Sequence, residues 1–414
     1  MSTKVLIIGK VWPEPNSSAA GSRMVQIIEL FREQGWSVTF VTAAAKSPFM
    51  ADLESMGVKT YVIKLNDSGF DEFIRQIKPD IVLYDRFMTE EQFGWRVREQ
   101  VSEAMTILDT EDLHCLRQGR RKAWNEGREF DDEDLYSDIA KREVASILRS
   151  DLSIMISEIE MSILSQHFEI KDDKIIHVPF LIDSLCENDI NQWQPYDNRK
   201  HFISIGNFLH EPNWNAVLYL KEEIWPKIRE RLPDSELHIY GAYPSQKVEQ
   251  LHNEKEGFLI KGRADDAKKV VSESRVLLAP LRFGAGLKGK LIEAMQCGTP
   301  SITTPIGAEG MHDGLPWPGA ICNDPNRFAE EAVRLYTNKD LWEKSQILSI
   351  DLINTLYDKK QHGDNLTKRI YEIRENLSAH RMQHFTGEIL HHHKLGSTKY
   401  MSKWIEAKNK IKDL

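Results

Sequence analysis

Short apolar runs recur along the chain, each followed by a polar turn and then by a stretch in which apolar residues return every three or four positions. Val5 to Gly9 is the first such run. Val38 to Thr42, Thr60 to Ile63, Asp80 to Tyr84, Thr106 to Leu108, Leu152 to Ile156 and Ile175 to Val178 come after it. Runs that are apolar on both faces suit strands buried in a parallel sheet, and the spacing between them suits helices laid over that sheet. After Val5 to Gly9, for instance, a loop of small residues leads to a helical pattern from Arg23 through Val25, Ile27, Ile28, Leu30 and Phe31 to Gly35. The alternation stops at Asn188 to Lys200, a polar, turn-rich segment. It resumes at Phe202 to Gly206, Glu236 to Tyr240, Phe258 to Lys261, Val276 to Leu278, Ser301 to Thr304 and Ala320 to Cys322. The pattern predicts an α/β chain with two doubly wound domains, over 1–185 and 201–378, a linker at 186–200 and a helical tail at 379–414. Ligands of such sheets bind beyond the carboxyl ends of the strands, so the site is expected in the cleft between the domains.

A chain of 414 residues exceeds the usual size of a single domain, in keeping with that division. Its formal charge of −9 argues against general nucleic-acid binding, which draws its affinity from Lys and Arg against phosphates, so any anion site must be local. The four cysteines, Cys115, Cys186, Cys297 and Cys322, lie far apart and show no metal spacing. They read as reduced thiols, and the expected location is cytoplasmic. The opening MSTKVLIIGKVWPEP meets Lys10, Pro13 and Glu14 too soon for a signal peptide and reads as a first strand. No apolar run approaches the roughly 18 residues of a membrane span.

The stretch richest in chemistry is Val276 to Gly310. There an apolar strand stops at Arg282, a loop carries Gly284, Gly286 and Gly289, a helical pattern runs through Leu291, Ile292, Ala294 and Met295, and a second strand begins at Ser301. Glycines let backbone lie close to a bulky anion, and the free N–H groups of a helix start attract negative charge. Lys288 and Lys290 on the loop, with Arg282 at its root, add full charges. Glu293 falls in the first helical turns, where a carboxylate accepts hydrogen bonds from ribose hydroxyls. The ligand suggested is a sugar nucleotide.

PLRFGAGLKGKLIEAM followed by CGTP and TPIGAEGM closely resembles the donor-site segment of glycosyltransferases with two Rossmann-like domains facing a central cleft, the GT-B fold, particularly glycosyltransferase family 4. Many members carry two glutamates eight positions apart, the first directed at the transferred sugar and the second at the ribose. Glu293 matches the second, and Ala285 stands at the first. By this resemblance Gly21, Asn207, Arg282, Gly286, Lys288 and Glu293 are expected to contact the donor. Relatives often have an arginine at the position of Asn207, and its absence shifts weight to Arg282 and Lys288. The resemblance implies transfer of a sugar from a nucleotide sugar to a hydroxyl of a glycan, lipid-linked or other acceptor, with retention of configuration. A nucleotide-sugar epimerase of the same architecture and a non-catalytic sugar-nucleotide-binding protein are the alternatives.

In the first domain, Asp109, Glu111, Asp112 and His114 gather after the strand Thr106 to Leu108. Relatives place a histidine directly after this strand; here that position is Asp109, with His114 five residues on. Asp109 and His114, together with Lys288, are the candidate catalytic residues. A carboxylate there assists an acceptor hydroxyl or a positively charged transition state, and an imidazole exchanges a proton near neutral pH. Asp109 or Asp112 equally fits a helix N-cap. Asp85 and Arg86 read as a surface ion pair, and Asn213 as the cap of a helix starting near Trp214.

Asp132-Glu133-Asp134 imitates a metal-diphosphate motif, but its neighbours have the helical spacing of a solvated acidic face. No metal and no further cofactor are expected, because Arg282, Lys288 and helix N–H groups can neutralise a leaving diphosphate. The tail holds His391-His392-His393, read as incidental. Beyond them Tyr400, Met401, Trp404, Ile405 and Ile411 share a helical face, with Lys399, Lys403, Lys408, Lys410 and Lys412 elsewhere. Such a basic amphipathic helix either docks on its own protein or rests peripherally on an anionic membrane.

Overall fold

The computed structural model describes residues 2–412, with the backbone alone at 393–395 and 412. Thirteen strands among them form two parallel sheets. The first orders β3 (Lys59–Val62), β2 (Ser37–Thr42), β1 (Lys4–Gly9), β4 (Ile81–Asp85), β5 (Met105–Asp109), β6 (Leu152–Met155) and β7 (Ile175–His177). The second orders β10 (Phe258–Gly262), β9 (Leu237–Tyr240), β8 (Lys200–Ile205), β11 (Ser274–Ala279), β12 (Ser301–Thr303) and β13 (Gly319–Ile321). This is the GT-B architecture expected from the sequence.

The two-residue period of a strand explains why these runs had to be apolar throughout. Val5 and Ile7 enter one core layer of the first domain while Leu6 and Ile8 enter the layer on the opposite face. In the second domain Leu277 and Ala279 pack into one layer, Val276 and Leu278 into the other. In each sheet the strand order reverses at one place, between β1 and β4 and between β8 and β11. Those switch points open the crevices beyond the carboxyl ends.

Seven of the helices build the cleft, the crossing between domains and the tail: α1 (Ala19–Glu33), α2 (His114–Asn125), α3 (Glu158–Phe168), α4 (Glu211–Tyr219), α5 (Gly289–Gln296), α6 (Lys359–Glu375) and α7 (Phe385–Lys412). Two features depart from the sequence reading. The linker is anchored: Trp193 Nε1 donates to Gln296 O, and buried Arg199 donates to Cys297 O and Thr299 Oγ1 while stacking on Trp342. The chain leaves the second domain well before 378, because Lys359 N donates to Ile182 O and α6 sets Leu366, Ile370 and Ile373 into the core of the first domain. Those three apolar residues follow the α6 period and need a core, and the first sheet supplies it.

The tail helix α7 docks chiefly through polar contacts, Arg98 to Glu388, Lys399 to Glu99, Ser402 to Asn66 and Ser68 to Glu406. Tyr400, Met401, Trp404 and Ile411 stay exposed. No helix among the described residues is long and apolar enough to cross a membrane.

Candidate active site between the two sheets

Two helix starts meet in the cleft. Ser18 Oγ accepts from Gly21 N at 3.0 Å and begins α1 there, four residues earlier than its apolar period suggested. Across the cleft, α5 begins at Gly289. A Cβ added to Gly289 would sit 2.5 Å from Ala19 Cβ, so the amino ends of α1 and α5 face each other with space for hydrogen only. Gly21 is required for a neighbouring reason: a Cβ there would fall 2.5 Å from the backbone of Glu14.

The glycine loop between β11 and α5 is clasped by the first domain. Gly286, at φ +64°, donates its N–H to Glu160 Oε1 at 2.8 Å. The same oxygen accepts from Leu113 N at 3.0 Å, so one buried carboxyl of α3 holds a loop from each domain. Arg120 of α2 donates to Gly284 O at 2.9 Å and grips both oxygens of Glu309 at 2.6 and 2.7 Å. Ala285, where relatives carry glutamate, is buried in the core layer of the first domain. Burial pushes the Glu160 carboxyl up to about 8, and its second oxygen has no hydrogen-bond partner among the described residues.

Cations concentrate at this junction. Lys288 precedes α5, is buried, and reaches only the carbonyls of Ala285 at 3.4 Å and Gly286 at 2.5 Å. Lys290 donates to Asn213 Oδ1 at 2.8 Å. Neither forms an ion pair among the described residues, and burial lowers both ammonium groups to about 8. Arg282 is half-buried, donates to Asn215 Oδ1 at 2.7 Å and lies between the rings of Trp124 and Tyr219. Asn213 does not cap α4, which starts at Glu211; its amide donates to Asn207 O at 2.9 Å, fixing the turn after β8 beside Lys290. Asn207 also accepts from Leu209 N at 2.9 Å. The carboxyl of Glu293, one turn into α5, makes no hydrogen bond or ion pair among the described residues, and burial raises it to about 7.

The carboxyl ends of β4 and β5 carry the opposite charge. Asp109 is fully buried and accepts from Arg23 of α1 at 2.5 Å, while its other oxygen is unpartnered. Glu111 lies 3.7 Å from the same guanidinium, and burial, with Asp109 beside it, holds its carboxyl well above the usual range. Asp85 and Arg86 pair at 3.7 Å as expected, but Asp85 is buried rather than at the surface and also accepts from Lys10 N at 2.8 Å. Arg86 and Glu111 adopt φ of 69° and 62°, a conformation that costs about 1–3 kcal/mol for such residues and gathers at functional sites.

His114 opens α2 against the Phe87 ring, 3.5 Å from Asp112. Burial lowers its imidazole to about 4, so it is neutral at pH 7 and accepts a proton only weakly. Neither Asp109 nor Asp112 caps α2. Its first N–H groups, those of His114 and Cys115, are taken by the buried carboxylate of Glu143 at 2.9 and 3.0 Å. Asp132-Glu133-Asp134 forms a short 3-10 turn in which Asp134 pairs with Arg128.

Glu160, Arg120 and Glu143 were not singled out in the sequence. Each is a charged residue within an otherwise apolar helical period, and that interruption is the signal that marks a buried charge. Its partner lies 28 to 189 residues away.

The fold is that of a two-domain protein of GT-B type with a cleft between its sheets. Residues 199–338 match the family model described as Glycosyl transferases group 1, so the second domain carries that signature. A curated relative, an uncharacterized 44.6 kDa protein in the cps region of Klebsiella pneumoniae, is 22% identical over 173 residues. That match covers 40% of this chain and 45% of the relative. Among solved structures, S. aureus TarM aligns with a TM-score of 0.67 at 11% identity, over 89% of this chain and 99% of that one. Sucrose-phosphate synthase from Thermosynechococcus elongatus aligns at 0.64 with 16% identity, over 91% and 100%. HepE of Anabaena, in complex with UDP and glucose, aligns at 0.63 with 12% identity, over 88% and 99%. At these identities the likeness is one of fold.

Proposed function

We propose that the protein is a glycosyltransferase that takes its sugar from a nucleotide sugar and passes it to a hydroxyl acceptor. The observation that carries this reading is the pair Lys288, buried, and Lys290, half-buried, two ammonium groups without carboxylate partners among the described residues at the point where α1 and α5 meet. A buried cation without an anion is costly, and a diphosphate would supply the missing charge. The N–H groups at the start of α5 add to the same field. In this reading Glu293 takes the ribose, and Arg282, against the Trp124 and Tyr219 rings, takes the distal phosphate oxygens. The group 1 match over this segment and the UDP in the HepE complex support the assignment.

In this reading the departing diphosphate gathers negative charge as the sugar–oxygen bond breaks, and Lys288 and Arg282 stabilise it without a metal. The acceptor enters from the first domain, beside Asp109, whose second oxygen has no hydrogen-bond partner among the described residues, and Glu111. Transfer with retention follows from the family resemblance. A thermal-shift screen against nucleotide sugars tests the donor, since a ligand that binds the folded state raises its melting temperature. Incubation of the stabilising donor without acceptor separates a transferase from an epimerase, which would make a new nucleotide sugar. If no nucleotide sugar shifts the melting temperature, the donor assignment fails.

A further inference from the structure

At the opposite end of the second sheet lies a cluster that sugar transfer does not use. In the parallel register, Phe202 stands beside Leu237 and Ile203 beside His238. Because a strand alternates faces, His201, Glu236 and His238 share one side of the sheet while Phe202 and Leu237 enter the core on the other. His238 Nε2 is 2.8 Å from Glu236 Oε2, and His201 Nδ1 is 4.0 Å from the same oxygen. The two imidazoles stack with centroids 3.8 Å apart, and all three ligand atoms fall within 4.8 Å of one another. His201 holds this place with φ +46°, uncommon for a residue with a side chain.

We propose that His201, Glu236 and His238 form a binding site for a late first-row divalent cation, zinc above all, at the amino ends of β8 and β9. Two imidazoles and a carboxylate are a ligand set zinc favours, with bonds of about 2.0–2.2 Å and a fourth position left for water. Ligand atoms on one tetrahedral zinc lie about 3.4 Å apart. Glu236, half-exposed, would move by about half an ångström away from His238 and toward His201, and the stacked rings would turn so that both nitrogens face the metal. On binding, the proton shared by His238 and Glu236 gives way to the metal. Lys200 and Lys261 lie close enough to the His201 ring to act on it electrostatically. The same two lysines oppose a cation and make the site weaker than a closed four-ligand one. The metal would tie the first two strands of the donor domain together at their base, away from Gly206 and the cleft.

The test is titration of the full-length, chelator-stripped protein with zinc chloride, read by calorimetry and by melting temperature. Zinc should bind at one site and raise the melting temperature. His201→Asn is the first variant, because asparagine tolerates positive φ and should leave the fold intact; His238→Gln is the second. Each should weaken zinc binding by roughly 10-fold or more, as loss of a ligand does at least as much as loss of a residue supporting one. The tail histidines are the competing site, so a variant with residues 391–393 all changed to glutamine completes the set. Zinc binding lost in that variant and kept in His201→Asn would overturn the proposal, as would no measurable zinc binding in the native protein.

Discussion

Lys288→Met gives the sharpest test of the donor site, because its two effects have opposite signs. An ordinary lysine titrates at about 10.4, and burial brings Lys288 to about 8. At about 1.4 kcal/mol per pH unit, holding this charge in the empty cleft costs about 3 kcal/mol. The folded value lies below the unfolded one, so this cost is present in full below about pH 8 and vanishes only above about pH 10. Methionine keeps the stem and removes the charge. The carbonyls of Ala285 and Gly286 then lose a donor, each worth about 1 kcal/mol. The net is a gain of about 1–2 kcal/mol, or roughly 1–2 °C in melting temperature for a chain of this size. With UDP the sign reverses. A charge-assisted hydrogen bond to phosphate is lost, about 1.5–3 kcal/mol, so affinity should fall roughly 10- to 150-fold. Differential scanning fluorimetry without ligand and calorimetry with UDP read the two halves separately. A variant that melts lower than the native protein and binds UDP equally well would show that the lysine only braces the loop.

Glu293→Ala should raise the donor KM roughly 10- to 100-fold with a smaller change in kcat, because ribose contacts hold substrate and transition state alike; an unchanged KM removes the ribose assignment. Gly289→Ala would put a methyl group 2.5 Å from Ala19 Cβ, so transfer should collapse while UDP still binds the second domain; solution scattering should show a wider particle. Chelation with EDTA should leave transfer intact, and activity lost on chelation and restored by magnesium or manganese would show that the diphosphate needs a metal. Burial raises Glu160 to about 8, above its unfolded value near 4.3. Its contribution to stability is therefore present below about pH 4 and is lost as pH rises to about 8. Glu160→Gln should flatten the fall of melting temperature across that window, by up to about 1.4 kcal/mol per pH unit. An unaltered slope would mean that this carboxyl is ionised throughout.

The strands were legible because their signal is local and redundant. Leu6 and Ile7 must both be apolar if the two faces of β1 are covered, and they enter opposite core layers. The glycine loop was legible for a similar reason, since a Cβ at Gly286, already at positive φ, would lie 2.8 Å from Asp112 Cβ and one at Gly289 would lie 2.5 Å from Ala19 Cβ. The domain boundary was not. A helix such as α6 declares that it has an apolar stripe but not which sheet will cover it, and Leu366, Ile370 and Ile373 chose the first. Asp85 illustrates the converse: in sequence it stands beside Arg86 and looks like half of a surface pair, yet the backbone of Lys10 claims it from 75 residues away.

What no local pattern could show is how an acidic chain keeps positive charge in one bend. Three acidic side chains near the bend have their charge engaged or suppressed. Asp112 is paired with Arg117, Glu309 is held by both arms of Arg120, and Glu160 is neutralised by burial while its oxygen serves two N–H groups. With these set aside, Lys288 and Lys290 keep their field toward the cleft although the whole molecule carries −9. The same contacts hold the two domains shut, Glu160 through Gly286 and Arg120 through Gly284. Charge selection and closure therefore share one set of residues. Arg120→Ala should act on both, freeing Glu309 to compete for Lys288 and loosening the cleft. If its UDP affinity and its particle size in solution stay unchanged, the coupling between them is refuted.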